Sequence, residues 1–276
     1  MHDNVIRQWD QAAPYWEKHR DTIRAMFAPL TQGLIHAAEI EPGYSVLDVA
    51  TGAGEPALSI AETVGLAGKV DGIDPVVGMI EAAQRAAQRH GLHNVSFEVA
   101  SADQLPFPSG SFDAVVSRLG VMFFPSPLDG IREMLRVLKQ NRRIAFAVWR
   151  PADRNPFHHV LADVVDRYIP PEPVAPDAPD PFRFADLGRL CDLLKDAGAL
   201  GATEQILRFI IEAPFTVEDY WELRLEMSEK LRSRIMSVSE DQRGAIRQDL
   251  LAAMRPYATD RGISLPAEAL IVSGTL

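Results

Sequence analysis

The segment that most restricts how this chain can fold is residues 46–56, VLDVATGAGEP, which sets a strand, a glycine turn and a helix start into eleven positions. Val46, Leu47 and Val49 are apolar and partly β-branched, the composition of a parallel strand buried on both faces. Gly52 and Gly54 let the backbone turn sharply and present its N–H groups with no Cβ to crowd whatever approaches. Pro56 sits where the first turn of a helix needs no N–H, so a helix is predicted to begin at Glu55 or Pro56, with Leu58, Ile60, Ala61 and Val64 at helical spacing. Strand, glycine loop and helix N-terminus in this order form a cradle for a nucleotide-like ligand at the carboxyl edge of a parallel sheet. The loop also reads as the GxGxxA turn of a dinucleotide-binding protein, and a tight turn with no ligand stays open at this point.

The rest of the first half repeats the alternation of strand and helix. Residues 68–73 form a second short strand that ends at Asp74-Pro75. Asp74 lies 22 residues beyond Gly52, near the interval at which a second-strand carboxylate meets ribose hydroxyls. It equally fits an N-cap for the helix of residues 76–90, which Gly91 ends. Val95, Phe97 and Val99 alternate with polar residues in a third strand leading into Ser101-Ala102-Asp103-Gln104. Residues 112–117 form a fourth, with Arg118-Leu119-Gly120 leaving its end. Ser126-Pro127 opens a helix striped by Leu128, Ile131, Leu135 and Leu138, and residues 144–149 form an apolar fifth strand. The pattern predicts an α/β fold with a doubly wound parallel sheet. It brings residues 48–54, Asp74, 102–104 and 117–120 to one rim.

Beyond these strands the rhythm changes. Residues 4–40 read as helices that enclose an aromatic run, WDQAAPYWEKH; Trp9 reads as a packing staple, whereas Tyr15 stands between packing and closing over a ligand. Residues 156–168 look helical, and residues 170–181 hold six prolines in twelve positions, which predicts a loop over the site. A helix at 186–197, a strand at 204–211, a helical stretch at 217–255 and a terminal strand at 269–272 complete the chain. A net charge of −10 with dispersed basic residues argues against a nucleic-acid partner. No run of eighteen apolar residues occurs, so no membrane span is expected, and the polar opening MHDNVIRQWD makes the cytoplasm the default location. Cys191 is the only cysteine and reads as an inert core thiol, with no disulfide within the chain and no metal site expected.

VLDVATGAGE, the acid of GIDP, SADQLPF, FDAVVSRLGVMFF, and EMLRVLK followed by an apolar strand resemble, in order, the motifs of class I S-adenosylmethionine-dependent methyltransferases. The likeness is to the branch of ubiquinone/menaquinone-biosynthesis C-methyltransferases and many small-molecule methyltransferases, and it covers residues 41–150. It implies a Rossmann-like seven-stranded sheet whose last strand is antiparallel and inserted beside the fifth. A helical cap would occupy residues 1–40 and the cofactor-binding core 41–150, completed by 183–213 and 265–276. Residues 151–182 and 214–264 would be insertions on the substrate side. The cofactor implied is S-adenosyl-L-methionine, leaving as S-adenosyl-L-homocysteine, with in-line methyl transfer to a small apolar or aromatic acceptor. A homodimer is compatible with the resemblance.

By the same resemblance Gly52 and Gly54 border the methionine part of the cofactor and Asp74 binds the ribose hydroxyls. Pro75, Val76 and Met79 contact the adenine, while Ala102 and Asp103, with Gln104 beside them, read its edge. Asp48 orients the loop or receives the methionine ammonium, and Tyr15 and Arg118 lie near that end. Ala50 stands where many members have the loop's first glycine. Gln140-Asn141-Arg142 replaces a proline-glycine-glycine turn, in which Asn141 can still take a positive φ. If the acceptor must lose a proton, His158, His159 and Tyr168 are the candidate bases. Phe123, Phe124, Trp149, Phe157, Tyr220 and Trp221 are candidates for the acceptor's surroundings. Two other readings compete: an NAD(P)-dependent dehydrogenase, which leaves Asp48 and the Ala102-Asp103 pair without a task, and a catalytically silent S-adenosylmethionine-binding protein on the same fold.

Overall fold

A computed structural model describes residues 2–171, 175 and 178–276. Five strands run parallel: β1 (Ser45–Val49), β2 (Lys69–Asp74), β3 (Val95–Val99), β4 (Phe112–Arg118) and β5 (Leu138–Trp149). Two long strands follow, β6 (Leu200–Ala213) and, after the two-residue β7 (Ala258–Thr259), β8 (Gly262–Thr275). The order is β3-β2-β1-β4-β5-β8-β6, with β8 antiparallel to both of its neighbours and β7 paired to the start of β8. The chain leaves β1 toward β2 on one side and returns as β4 on the other, so a crevice opens at the carboxyl end of β1.

Helices cover both faces. In the region expected as a cap, α1 (His2–Lys18) packs on α5 while α2 (Arg20–Met26) and α3 (Ala28–Ala37) lie against the sheet; α4 (Ala57–Val64), α5 (Val77–His90) and α6 (Pro127–Val137) connect the parallel strands; α7 (Pro156–Asp166), α8 (Arg189–Asp196), α9 (Val217–Met227), α10 (Glu229–Met236) and α11 (Glu240–Met254) follow. Leu58, Ile60, Ala61 and Val64 are buried against the sheet, as the spacing in α4 predicts.

The doubly wound sheet and its antiparallel last strand are as expected, and the differences are local. The described residues hold eight strands where seven are implied, because β7 adds a short pair at the edge. The last strand is far longer than residues 269–272. Its second half lies between β5 and β6, whereas residues 263–268 project past the end of β5 and pair with β6. There Pro266 needs no N–H on the β5 side, so a proline that reads as a break is tolerated. The helical stretch 217–255 is three helices, divided where the Ser228 and Ser239 hydroxyls accept the N–H groups of Leu231 and Gln242. Helix α4 begins at Ala57 with Pro56 at the N-cap, and α5 has Val76 at its N-cap, so Asp74 does not cap it. β5 starts before residue 144, at Leu138, and its register with β4 shifts where Asn141 adopts φ 59°.

Candidate active site

The turn after β1 is built from left-handed backbone. Ala50 and Gly52 have φ of 60° and 55°, and Gly54 has 107°. Thr51 donates its N–H to the Ile73 carbonyl at 2.9 Å, which ties the turn to the end of β2. A Cβ on Gly52 would meet nothing, so its glycine is required by φ; at Gly54 a Cβ would also press on Leu58 and Ala83. Ala50 keeps its methyl because position 120 is glycine: a Cβ there would lie 2.5 Å from that of Ala50.

Two carboxylates hold this turn from opposite sides. Asp48 is fully buried, and one of its oxygens accepts the Ala57 N–H at 3.1 Å, fixing the start of α4. The other has no partner. Burial pushes the Asp48 carboxyl up to about 7 against the opposing pull of Thr51 and Arg118. Asp74 accepts the N–H of Gly52 on one oxygen and that of Val76 on the other, each at 3.0 Å. Each oxygen keeps acceptor capacity, so the pair is set for the two hydroxyls of a vicinal diol. Burial raises the Asp74 carboxyl to about 6, against both backbone donors. Arg118 is buried and committed to the fold, donating to the Thr31 hydroxyl at 2.6 Å and the Glu55 carbonyl at 3.2 Å.

A cavity of about 410 Å³ opens above this rim, within the range for small-molecule sites. Segments 49–53, 73–76, 100–102 and 118–120 line one end. Trp9, Trp16 and Phe27 from the cap, Trp149 from β5, Phe157 from α7 and Arg224 from α9 line the rest.

Of the residues the sequence nominates, Ala50, Gly52, Asp74, Pro75, Val76, Met79, Ala102 and Arg118 line the cavity, whereas Tyr15, Asp48, Gly54, Asp103 and Gln104 do not. Gly54 is turned inward toward α4 and α5, and Asp48 faces the N–H of Ala57. Asp103 is exposed and takes a hydrogen bond from Ser101, and Gln104 is exposed beside it. Tyr15 sits under the Arg232 guanidinium, 5.3 Å from the ring centre. Trp9 and Trp16, not Tyr15, reach the cavity, because positions 9, 12 and 16 share a helix face that position 15 leaves. Phe123, Phe124, Trp149 and Phe157 also line it. Tyr220 and Trp221 are buried outside the lining, the Tyr220 hydroxyl donating to the Phe157 carbonyl at 2.8 Å. Pro179, Asp180 and Pro181 of the proline-rich loop reach the cavity; residues 172–174 and 176–177 of that loop lie outside the described residues.

The three candidate bases separate cleanly. His159 has its Nδ1 2.8 Å from Asp163, and Tyr168 donates to Asp249 at 3.1 Å, both outside the lining. His158 lines the cavity with its ring 4.9 Å from Trp149 and 5.3 Å from Phe157. Its Nε2 is shielded and has no partner. Burial, reinforced by Arg224 and His159, holds it well below its ordinary value, so the imidazole is neutral near pH 7.

The raised Asp74 carboxyl has a measurable consequence. A diol donates to the ionised form, so affinity for a ribose-bearing ligand should be level above pH 7 and fall as pH drops through about 6, by up to about tenfold per unit. Isothermal titration between pH 5 and 8 reads this, and the step near pH 6 should vanish in Asp74→Asn.

An open α/β sheet with a crevice at the β1 switch point defines a Rossmann-like architecture. Residues 46–141 match the family described as a methyltransferase domain. Over 120 residues the chain is 38% identical to aklanonic acid methyltransferase DauC of Streptomyces sp. (strain C5), covering 44% of this chain and 54% of that protein. Over 144 residues it is 35% identical to a demethylmenaquinone methyltransferase of Listeria welshimeri, covering 52% of this chain and 61% of that one. The matches thus span little more than half the length of these curated relatives. The solved YcgJ protein of Bacillus subtilis shares the fold, with a TM-score of 0.56 at 22% identity over 89% of this chain and 97% of that one. What the chain shares with these proteins is this methyltransferase domain, carried by residues 46–141.

Proposed function

We propose that this protein moves a methyl group from S-adenosylmethionine to a small molecule with an apolar or aromatic body, by in-line displacement. The observation that carries this reading is a single cavity with two unlike ends. One has a diol-ready carboxylate and a glycine turn, the other a set of aromatic walls.

The first end fits the nucleoside. Asp74 offers two acceptor positions, Ile73, Val76 and Met79 give an apolar wall for a flat base, and the open space at Gly52 leaves room beside the backbone. Asp48 stands one layer behind, where its bonded oxygen fixes the start of α4. S-adenosylmethionine, when bound, supplies an electrophilic methyl on a positively charged sulfur.

The protein's own tasks are then alignment and exclusion of water. Phe27, Trp149 and Phe157 pack edge to face on one another, with centroid separations of 5.5 and 5.9 Å from Phe27 to the other two, and give a flat acceptor one aromatic wall. His158 Nε2, without a partner in the fold, is placed to accept a hydrogen bond from an acceptor hydroxyl. The test is a screen of phenolic, enolic and quinol acceptors with methyl-labelled cofactor. Transfer to at least one flat acceptor is expected, with loss of most of that turnover in Phe157→Ala. Turnover unchanged in a folded Phe157→Ala would contradict the placing of the acceptor, and cofactor binding with no transfer to any acceptor would favour a catalytically silent binding protein.

A further inference from the structure

The aromatic end of the cavity carries two arginines with donors that the fold does not use. Arg224, on the inner face of α9, lines the cavity with its guanidinium 4.7 Å above the Phe157 ring centre. No carboxylate lies within ion-pair range of it among the described residues, and its Nε is shielded from solvent without an acceptor. Arg20, at the start of α2, is 6% exposed and lines the same space. One of its terminal nitrogens reaches the exposed Asp21 at 3.0 Å, while its Nε and other terminal nitrogen are buried with no acceptor.

Guanidinium N–H groups shielded from water with no acceptor are costly. Arg118, the third arginine of the cavity, shows what a structural role looks like here: its donors are taken by Thr31 and Glu55, and Asp48 and Glu55 lend it negative charge. Stacking on Phe157 explains where Arg224 rests but gives its Nε nothing to donate to. The nearby lining carboxylates have other partners, Asp180 accepting the Phe182 N–H at 2.8 Å and Glu229 the Ser233 hydroxyl.

We propose, building on the methyltransferase reading, that the acceptor is an anion: a flat apolar body bearing a carboxylate or an ionised phenol or enol that Arg224 and Arg20 receive. The aromatic walls hold the body and the two guanidiniums supply directed donors to the oxyanion, for which arginine geometry is well suited. The neutral imidazole of His158 stands beside this pair as a hydrogen-bonding neighbour, not as a third charge. An oxyanion held there is also a nucleophile or a fixed handle, according to which oxygen or carbon receives the methyl.

The experiment titrates matched probes into protein saturated with S-adenosylhomocysteine. Naphthalene-carboxylate is compared with naphthalene-carboxamide, and picrate with its neutral methyl ether; the first pair reports on carboxylates and the second on ionised phenols. At least one anion should bind about tenfold or more tighter than its neutral counterpart, the scale of a charge-assisted hydrogen bond. The preference should collapse in Arg224→Gln and return in Arg224→Lys. Affinity for S-adenosylhomocysteine should be equal in all three, which also shows that they fold. No preference for either anion in the wild type, whether both members of a pair bind or neither does, overturns the proposal. A preference that survives in both Arg224→Gln and Arg20→Gln overturns it as well. If S-adenosylhomocysteine itself does not bind, the methyltransferase reading fails, and the anion preference is still read directly from the probes alone.

Discussion

Asp74→Ala is expected to weaken binding of S-adenosylmethionine by about 1.5–3 kcal/mol, measured by isothermal titration at pH 8 where the wild-type carboxylate is ionised, the scale of hydrogen bonds to a charged acceptor. The loss has two parts. The substitution removes the two acceptor positions set for a diol, and it releases the N–H groups of Gly52 and Val76 that the carboxylate now holds. Asp74→Asn keeps one carbonyl oxygen and should fall between the wild type and the alanine variant, with the pH-dependent step near 6 lost. Unchanged affinity in a folded Asp74→Ala would remove Asp74 from the site.

The second large effect lies where two turns touch. Gly120→Ala is expected to destabilise the protein by about 1–3 kcal/mol, the cost of overpacking a filled interior. The added Cβ would lie 2.5 Å from the Ala50 methyl and 2.7 Å from the Ser117 hydroxyl oxygen. Ala50→Gly alone should be neutral to stabilising, since a methyl at φ 60° is strained. Combined, the two substitutions should recover part of the loss, and urea denaturation of the four proteins measures that coupling. A double variant as unstable as Gly120→Ala alone would mean that Ala50 is not what excludes a side chain at position 120.

These two sites also mark the limits of reading the chain as a sequence. The strand, glycine turn and following helix at residues 46–64, and the acid at 74, are legible because buried parallel strands are continuously apolar and tight turns need glycine. The cap was legible as helix, yet Tyr15 and Trp16 differ by one position, and only the phase of α1 against the sheet decides which faces the cavity. Asp103 follows Ala102 into the same loop, but the turn after β3 sends the alanine inward and the carboxylate to solvent. Arg224 carries no motif. It follows Tyr220 by one helical turn and precedes Met227 by nearly another, so an arginine on an apolar face was the available signal, and its place over Phe157 in the cavity had to be seen before it meant anything. The long β8 was hidden by Pro266, whose missing N–H matters only if a strand lies on that side.

The most direct measurement of the central claim is a pair of calorimetric titrations on the wild-type protein, one with S-adenosylmethionine and one with NADH. Saturable one-to-one binding of the sulfonium nucleoside, with no heat from the dinucleotide at the same concentrations, is the result predicted by a cavity that joins Asp74 to Trp149 and Phe157. Binding of NADH in its place would contradict that claim and return the glycine turn to the dehydrogenases.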